Sequence, residues 1–167
     1  MTNAIRILGL DPGLRRTGWG VVAVEGARLA HVAHGVIAAD ETLALAERLL
    51  AIHRGVAEVV TRLSPHEAAI EETFMTANGA STLKLGHARA AAMLAPAAAG
   101  LAVAEYAAKV VKKALVGTGG ADKAQVAFMV ARLLPSAGPT TSDAADALAV
   151  AICHAHARRT RAFGAAA

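Results

Sequence analysis

The sequence contains a single cysteine, Cys153, so no disulfide bond can form within the chain. Structural disulfides are common in secreted proteins and rare in the cytoplasm, where thiols are kept reduced. We therefore expect a cytoplasmic protein. Cys153 itself lies in a stretch rich in alanine and valine, which predicts a small buried residue rather than a reactive thiol.

Long apolar runs are missing as well, although 55% of the residues are hydrophobic. The longest uncharged stretch, 90–104, is interrupted by Pro96 and Gly100, whereas a membrane-spanning helix needs about 20 apolar residues. Asp11 and Arg15 break the apolar run near the start of the sequence, which is not the pattern of a signal peptide. We expect neither a membrane span nor a signal peptide.

Aromatic residues are scarce, at 3% of the chain, so the core must consist mainly of aliphatic side chains and alanine. Acidic residues are outnumbered, because 13 Asp and Glu against 17 Lys and Arg give a net charge of +4. A basic balance favours a polyanionic partner such as nucleic acid. The length of 167 residues suits one domain. We expect this domain over 1–160, followed by a flexible C-terminal tail over 161–167.

The alternation and spacing of apolar residues predict the element order βββαβαβααα. Strands are expected at 5–10, 18–24, 28–37, 66–71 and 101–105, and helices at 43–62, 81–95, 106–115, 122–134 and 142–159. Short turns link the first three strands, which predicts an antiparallel meander, and the later strand–helix–strand connections predict parallel neighbours. The sequence therefore predicts an α/β domain, with a mixed five-stranded sheet and helices packed on both faces.

The first predicted strand, in the stretch IRILGLDPGLRRTGWGVV, ends in an acid. Alternation along the strand places Asp11 on the same face as Ile7 and Gly9. A carboxylate on this apolar face is costly unless it is paired or bound to a metal. Asp-Pro-Gly is also favourable turn chemistry and could stand here for that reason alone. A functional role for Asp11 therefore requires polar partners from other parts of the chain.

Three further carboxylates could lie near Asp11. Glu71 ends the fourth predicted strand, and the ends of neighbouring parallel strands meet at the same edge of a sheet. Asp143 and Asp146 share a face at the start of the last predicted helix, because residues at i and i+3 are neighbours there. Each acid also has an ordinary explanation. Glu71 could be an exposed strand end, and the two aspartates could complement the helix dipole.

Four carboxylates in one pocket would repel one another and raise each other's pKa values. Divalent cations relieve this repulsion, and a ligand set made only of carboxylates suits Mg²⁺ or Mn²⁺ rather than zinc or copper. Such a set can hold two ions about 4 Å apart, which activate water and stabilise the leaving oxygen in phosphodiester cleavage. The acids therefore favour the hypothesis that Asp11 ends a buried strand because it bridges metal ions there.

Four stretches, in this order, resemble the RuvC family of Holliday junction resolvases: ILGLDPGLRRTGWGVV, IEETFMTANGASTLKLGHARAAAM, EYAAKVVKKALVGTGGADKAQVAFMV and SDAADALAVAICHAH. Together they extend over nearly the whole chain. The resemblance implies a ribonuclease H-like fold, a homodimer, and Mg²⁺- or Mn²⁺-dependent nicking of four-way DNA junctions in homologous recombination and DNA repair. It also implies paired symmetric nicks that leave 5′-phosphate and 3′-hydroxyl ends, and cooperation with the RuvA–RuvB branch-migration complex.

By position, the acids match the catalytic metal ligands of this family. The matching residues are Asp11, Glu71, Asp143 and Asp146. The first acid of the helical pair is histidine in some relatives, so the resemblance does not require a carboxylate at Asp143. For the other three acids, the resemblance and the chemistry of the residues lead to the same expectation.

The resemblance also implies a set of DNA-binding residues. The family's aromatic residue that contacts bases at the junction matches Phe74, and its basic residues near the scissile phosphate match Lys112 and Lys123. Lys84 and Arg89 lie on the helix expected to line the dimer interface or the DNA groove. An aromatic face can stack on any base, and basic side chains screen phosphate charge. The alternative is a core position for Phe74 and ordinary surface positions for the four basic residues.

The stretch VGTGGADKAQV is rich in glycine but lacks the spacing of a phosphate-binding loop. Asp122-Lys123-Ala124 stands where such a loop needs Gly-Lys-Ser/Thr. The glycines therefore predict a flexible turn, and Asp122 is expected to cap the helix that follows.

Other functions remain open from the sequence. A nuclease of the same fold acting on RNA–DNA hybrids would need the same acids without a preference for four-way junctions. An actin-like ATP-binding protein also begins with a strand followed by Asp-x-Gly, but its architecture needs two domains and roughly twice this length. A DNA-binding module without catalysis would gain nothing from four acids, because they would repel DNA in the absence of metal.

Overall fold

The structure, a computed structural model, describes residues 4–72 and 77–164, with side chains up to residue 160. The strands are β1 (Ile5–Asp11), β2 (Arg16–Glu25), β3 (Arg28–Ala38), β4 (Glu67–Glu71) and β5 (Ala102–Tyr106). The helices are α1 (Leu45–Leu63), α2 (Gly79–Ala98), α3 (Ala108–Val116), α4 (Lys123–Leu133) and α5 (Ser142–Gly164), with a 3₁₀ turn at Pro135–Ala137. The predicted order of strands and helices is confirmed.

Two boundaries bear on the predicted organisation. Helix α5 continues to Gly164, so its backbone enters the segment expected as a tail, and the division into a domain and a tail stays a prediction. Among the described residues, no helix combines the length and the apolar character that crossing a membrane requires.

The five strands form one mixed sheet in the order β3-β2-β1-β4-β5. β1, β2 and β3 are antiparallel neighbours, which confirms the predicted meander. β4 is parallel to both β1 and β5. Because β1 and β4 run in the same direction side by side, the acids that end these strands meet at one edge of the sheet.

Helices cover both faces of the sheet, as predicted. Alternate residues of β1 and β2 point to opposite faces, and each face has its own apolar cluster. The cluster shared with α3, α4 and α5 contains Ile7, Val22, Leu148 and Ile152, and the cluster shared with α1 and α2 contains Leu8, Leu10, Val21, Ile52 and Val56. The buried part of β1 is therefore enclosed on both sides, which explains why it reads as a continuous apolar run.

Helix α5 lies directly on β1 and β2 because glycines stand beneath it. A Cβ atom at Gly9 would lie 2.1 Å from the Ala147 carbonyl oxygen, and one at Gly18 would lie 2.0 Å from the Asp143 carbonyl oxygen. Real Cβ atoms do not approach other atoms so closely. The glycines thus fix the height of the helix above the sheet and bring its first turns over the end of β1.

The far end of α5 is held by a polar network. The Tyr106 hydroxyl and His154 Nδ1 are 2.8 Å apart, and His154 Nε2 lies 2.7 Å from the Glu67 carboxylate. The Arg158 Nε donates to the same carboxylate at 2.7 Å. The neighbouring Cys153 is buried, as predicted, and burial raises the pKa of its thiol to about 11.

Replacing Gly9 with alanine is expected to lower the free energy of unfolding by about 3 kcal/mol, because the new methyl group would collide with the backbone of α5. Gly86→Ala in α2 is the matched control, since nothing lies within 4 Å of a Cβ there. This control should be neutral or up to about 1 kcal/mol stabilising, as alanine is the better helix former. Urea unfolding measures both, and equal effects would contradict the close approach.

Candidate active site

Two acids meet where the central parallel strands end. Asp11 is the last residue of β1 and Glu71 the last residue of β4, and the register between these strands pairs Leu10 with Ile70 just before them. Both side chains line a cleft of about 190 Å³. The remaining lining residues are Ala108, Val111, Lys112, Lys123, Val126, Asp146 and Ala149. The predicted pairing of Asp11 with Glu71 is therefore present in the fold.

Helix α5 contributes Asp146 to this cleft and directs Asp143 elsewhere. Asp143 forms an ion pair with Arg16, whose Nε lies 2.9 Å from the carboxylate, and lines a second cleft beside the first, together with Arg15, Arg48 and Lys84. Three of the four predicted acids thus share one cavity. Asp143 remains close enough to contribute to the electrostatic environment of Asp11.

The shared cavity is electrostatically unfavourable for carboxylates. Burial first, and then the nearby charges of Glu71 and Asp146, raise the pKa of Asp11 from 3.8 to about 7. The pKa of Glu71 is raised for the same two reasons, burial first and Asp146 second. A positive charge placed among these acids would therefore lower the free energy of the ionised site.

Lys123 supplies one such charge from the protein itself. Its ammonium group donates to the Asp146 carboxylate at 2.9 Å, which raises the pKa of the lysine. Lys123 is the first residue of α4, and the predicted cap sets its position: Asp122 accepts from the Gln125 amide at 2.8 Å, and Gln125 accepts in return from the Asp122 amide at 2.9 Å. Lys112 lines the same cleft from α3.

The donor set fits a hard divalent cation. Asp11, Glu71 and Asp146 offer only carboxylate oxygens, which Mg²⁺ and Mn²⁺ prefer. Burial and the neighbouring acids raise the pKa of Asp11, so the ionised carboxylates are disfavoured here unless more positive charge is brought close. Within residues 4–72 and 77–164, no three acidic, histidine or cysteine side chains stand close enough together to hold an ion as they are. To hold an ion together, the acids of the cleft would have to draw closer to one another than they stand here.

The other predicted DNA-binding residues have different surroundings. Lys84 is exposed and lines the second cleft, whose volume is about 520 Å³. The Arg89 side chain is largely buried. Its guanidinium donates to the Glu71 carbonyl oxygen at 3.0 Å and pairs with the Glu105 carboxylate. Phe74 lies outside the described residues.

Two arginines that the sequence does not predict, Arg16 and Arg48, also line the neighbouring cleft. Arg48 donates to the Leu14 carbonyl oxygen at 3.0 Å, so it joins α1 to the turn between β1 and β2. The Arg15-Arg16 pair beside Asp-Pro-Gly was a visible signal of basic character. The partners of these arginines come from distant segments, and no local pattern could identify them.

Fold and site together define a class of protein. A ribonuclease H-like α/β domain with carboxylates gathered at the ends of its central strands is typical of metal-dependent nucleases. A sequence model of "crossover junction endodeoxyribonuclease RuvC" matches residues 7–154. This chain belongs to that family, and the predicted fold and family are confirmed.

Individual relatives support this assignment. Proteins named crossover junction endodeoxyribonuclease RuvC include one from Caulobacter sp. (strain K31), 67% identical over 92% of this chain and 91% of the relative. Another, from Maricaulis maris, is 63% identical over 100% of both chains. The solved structure of Thermus thermophilus RuvC in complex with a Holliday junction substrate is 37% identical, with a TM-score of 0.87 over 94% of this chain and 96% of that one.

The pH dependence of stability provides a test of the cavity. With a chelator present, Asp11→Asn is expected to raise the free energy of unfolding at pH 8 by about 2 kcal/mol, because the pKa of this carboxyl is raised to about 7 by folding. The ionised form is the disfavoured one in the folded state. The cost of ionised Asp11 to the free energy of unfolding is therefore complete above pH 7. This cost disappears as the pH falls toward 3.8, the ordinary pKa of an aspartate.

Urea unfolding between pH 8 and pH 4 measures this difference, which should shrink as the pH falls. Asp40→Asn is the control and should lower the free energy of unfolding at pH 8 instead of raising it. Hydrogen bonds from Thr42 lower the pKa of Asp40, so folding favours its ionised form. Adding Mn²⁺ should stabilise the wild type more than Asp11→Asn, because the ion binds the folded acids. A destabilised Asp11→Asn protein in chelator at pH 8 would contradict this account of the cavity.

Proposed function

We propose that this protein is a Holliday junction resolvase, an endonuclease that makes paired symmetric nicks in four-way DNA junctions during recombination and repair. The observation that carries the proposal is the gathering of Asp11, Glu71 and Asp146 in one cleft with Lys112 and Lys123 beside them. Family membership supports the substrate, since the similar Thermus thermophilus protein was solved with a Holliday junction. The products are 5′-phosphate and 3′-hydroxyl ends.

The acids and the lysines of the cleft have different roles in the proposed reaction. Asp11, Glu71 and Asp146 would hold the divalent cations, Mg²⁺ or Mn²⁺ and two per site, with Asp143 completing the set from the adjoining cleft. The bound ions supply Lewis acidity for phosphodiester hydrolysis. Lys112 and Lys123 attract the scissile phosphate to the acidic cleft.

Lys123 has a second effect in this scheme. While the site holds no metal, its ammonium neutralises part of the charge on Asp146. With cations held by the acids, the Lys123 ammonium would be free to attract the incoming phosphate. The same side chain therefore lowers repulsion in the free protein and contributes to DNA affinity in the complex.

Phe74 is proposed to contact bases at the junction. The support is its place directly after the strand that carries Glu71, together with the matching aromatic residue of the family. Stacking on an aromatic side chain is worth about 1–3 kcal/mol per base. Phe74→Ala is therefore expected to impair junction cleavage while the protein remains folded, and unimpaired cleavage would return Phe74 to a structural role.

A substrate panel tests the proposed activity. It contains a four-way DNA junction, a linear duplex and an RNA–DNA hybrid, each with Mg²⁺, Mn²⁺ or chelator. We expect paired nicks at symmetric positions in the junction alone, and none with chelator. Asp146→Asn should abolish cleavage and retain junction binding, because it removes an ion ligand and also one negative charge facing DNA.

Glu58→Gln is the matched control for Asp146→Asn, as it neutralises an acid on the exposed surface of α1 and should cleave like the wild type. Cutting of the RNA–DNA hybrid would favour the hybrid-directed nuclease over the resolvase. Junction binding without cleavage under any metal would favour the DNA-binding module, and ATP binding under the same conditions would favour the actin-like alternative.

We further propose that the protein acts as a homodimer, in the cytoplasm, together with the RuvA–RuvB branch-migration complex. Two symmetric nicks require two active sites, which a dimer with twofold symmetry provides. Support within the chain comes from α2, where Leu83 and Leu94 are 62% and 60% exposed. They are eleven residues apart and share one face of the helix.

Sedimentation tests the dimer against the mass of a single chain, 16.9 kDa. We expect twice this mass for the wild type and a shift toward the monomer for Leu83→Asp, because the aspartate would bury a charge in the interface. Phe128→Asp replaces a side chain with 63% exposure on α4 and should leave the mass unchanged. An unchanged dimer with Leu83→Asp would place the interface elsewhere.

A further inference from the structure

The backbone carbonyl group of Glu71, at the end of β4, needs a hydrogen-bond donor from outside its own strand. The Glu72 amide donates to the Tyr106 carbonyl oxygen of β5 at 2.9 Å. Backbone groups of successive residues point to opposite sides of a strand, so the amide and carbonyl groups of Glu71 point toward β1. The carbonyl oxygen of Glu71 therefore needs a donor from the chain that continues β1.

That donor is missing because of a proline. The register pairs Leu10 with Ile70, which places Pro12 at the position whose N–H would bond to the Glu71 carbonyl in a regular parallel ladder. Proline has no N–H. The turn residue that follows the catalytic Asp11 thus leaves the backbone of the catalytic Glu71 without its ladder partner.

Arg89 takes the place of the missing donor. Its Nε donates to the Glu71 carbonyl oxygen at 3.0 Å, and its terminal nitrogen pairs with the Glu105 carboxylate. The side chain of Arg89 is only 18% exposed. One guanidinium therefore joins α2 to the ends of β4 and β5, at the residue whose carboxylate lines the acidic cleft.

We propose that Arg89 is a positioning residue, which fixes the end of β4 so that the Glu71 carboxylate is held ready for a divalent cation. The inference rests on the proposed function only in taking Glu71 as an ion ligand. It replaces the expectation that Arg89 contacts DNA. A phosphate contact would have to break both internal bonds of a largely buried guanidinium, and this would cost more than an exposed side chain such as Lys84 requires.

Calorimetric titration of the free protein with Mn²⁺ tests the proposal without any DNA. Arg89→Ala is expected to weaken Mn²⁺ binding by about tenfold, a typical effect of removing a group that supports a metal ligand. Arg89→Lys should recover part of the affinity, because one ammonium can reach the carbonyl or the carboxylate. Arg54→Ala, which removes an exposed guanidinium from α1, should bind Mn²⁺ like the wild type.

Junction binding in chelator separates positioning from DNA contact. We expect Arg89→Ala to bind the junction within about twofold of the wild type, with an unchanged salt dependence, since no phosphate contact is lost. Weaker junction binding with a shallower salt slope and normal Mn²⁺ affinity would overturn the proposal and restore the DNA-contact role. Circular dichroism and thermal unfolding confirm that each variant is folded.

A rescue experiment tests the ladder itself. Pro12→Ala restores an N–H at the position facing the Glu71 carbonyl, so adding it to Arg89→Ala should regain part of the lost Mn²⁺ affinity. Failure of this rescue would show that Arg89 does not substitute for the missing donor. None of these measurements depends on junction cleavage. A protein that binds Mn²⁺ as predicted but cuts no junction would refute the proposed function and leave this inference standing.

Discussion

The close approach of α5 to the sheet is the constraint on which the rest of the site depends. Gly9 and Gly18 allow the helix backbone to touch β1 and β2, and buried alanines on the facing side of α5 leave no bulk between them. This contact brings Asp146 to the end of β1. A larger side chain at Gly9 or Gly18 would push the helix away from the strands, and would move Asp146 away from Asp11 and Glu71.

This packing also creates the charge problem that the site must solve. Three carboxylates share a largely buried cleft. Lys123 forms an ion pair with Asp146 and Arg16 forms one with Asp143, and these pairs neutralise part of the negative charge. Neither cation lies deep enough to bring the pKa of Asp11 back to its ordinary value. The fold therefore holds the free site in a state that is unfavourable for ionised carboxylates, and a bound metal ion would relieve it.

Much of this architecture was readable from the sequence because it depends on local periodicity. The alternating strands, the helical spacing and the turn after Asp11 fixed the element order, and parallel pairing placed Glu71 beside Asp11. What remained hidden depends on contacts between distant segments. The sequence predicts Arg89 as a DNA-binding residue, and no pattern in α2 shows that the side chain contacts a backbone carbonyl in β4. The separation of Asp143 from the other acids was equally hidden, since it follows from its pairing with Arg16.

The glycines beneath α5 have a consequence for how the gene can change. Glycine codons begin with two guanines, and every substitution at either of these bases introduces a side chain. At Gly9 and Gly18 even a methyl group meets helix backbone, so even the smallest replacement, alanine, is expected to destabilise the fold. Sequence changes in this enzyme are therefore expected at other positions. The two glycines and the distance between α5 and the sheet are expected to stay the same.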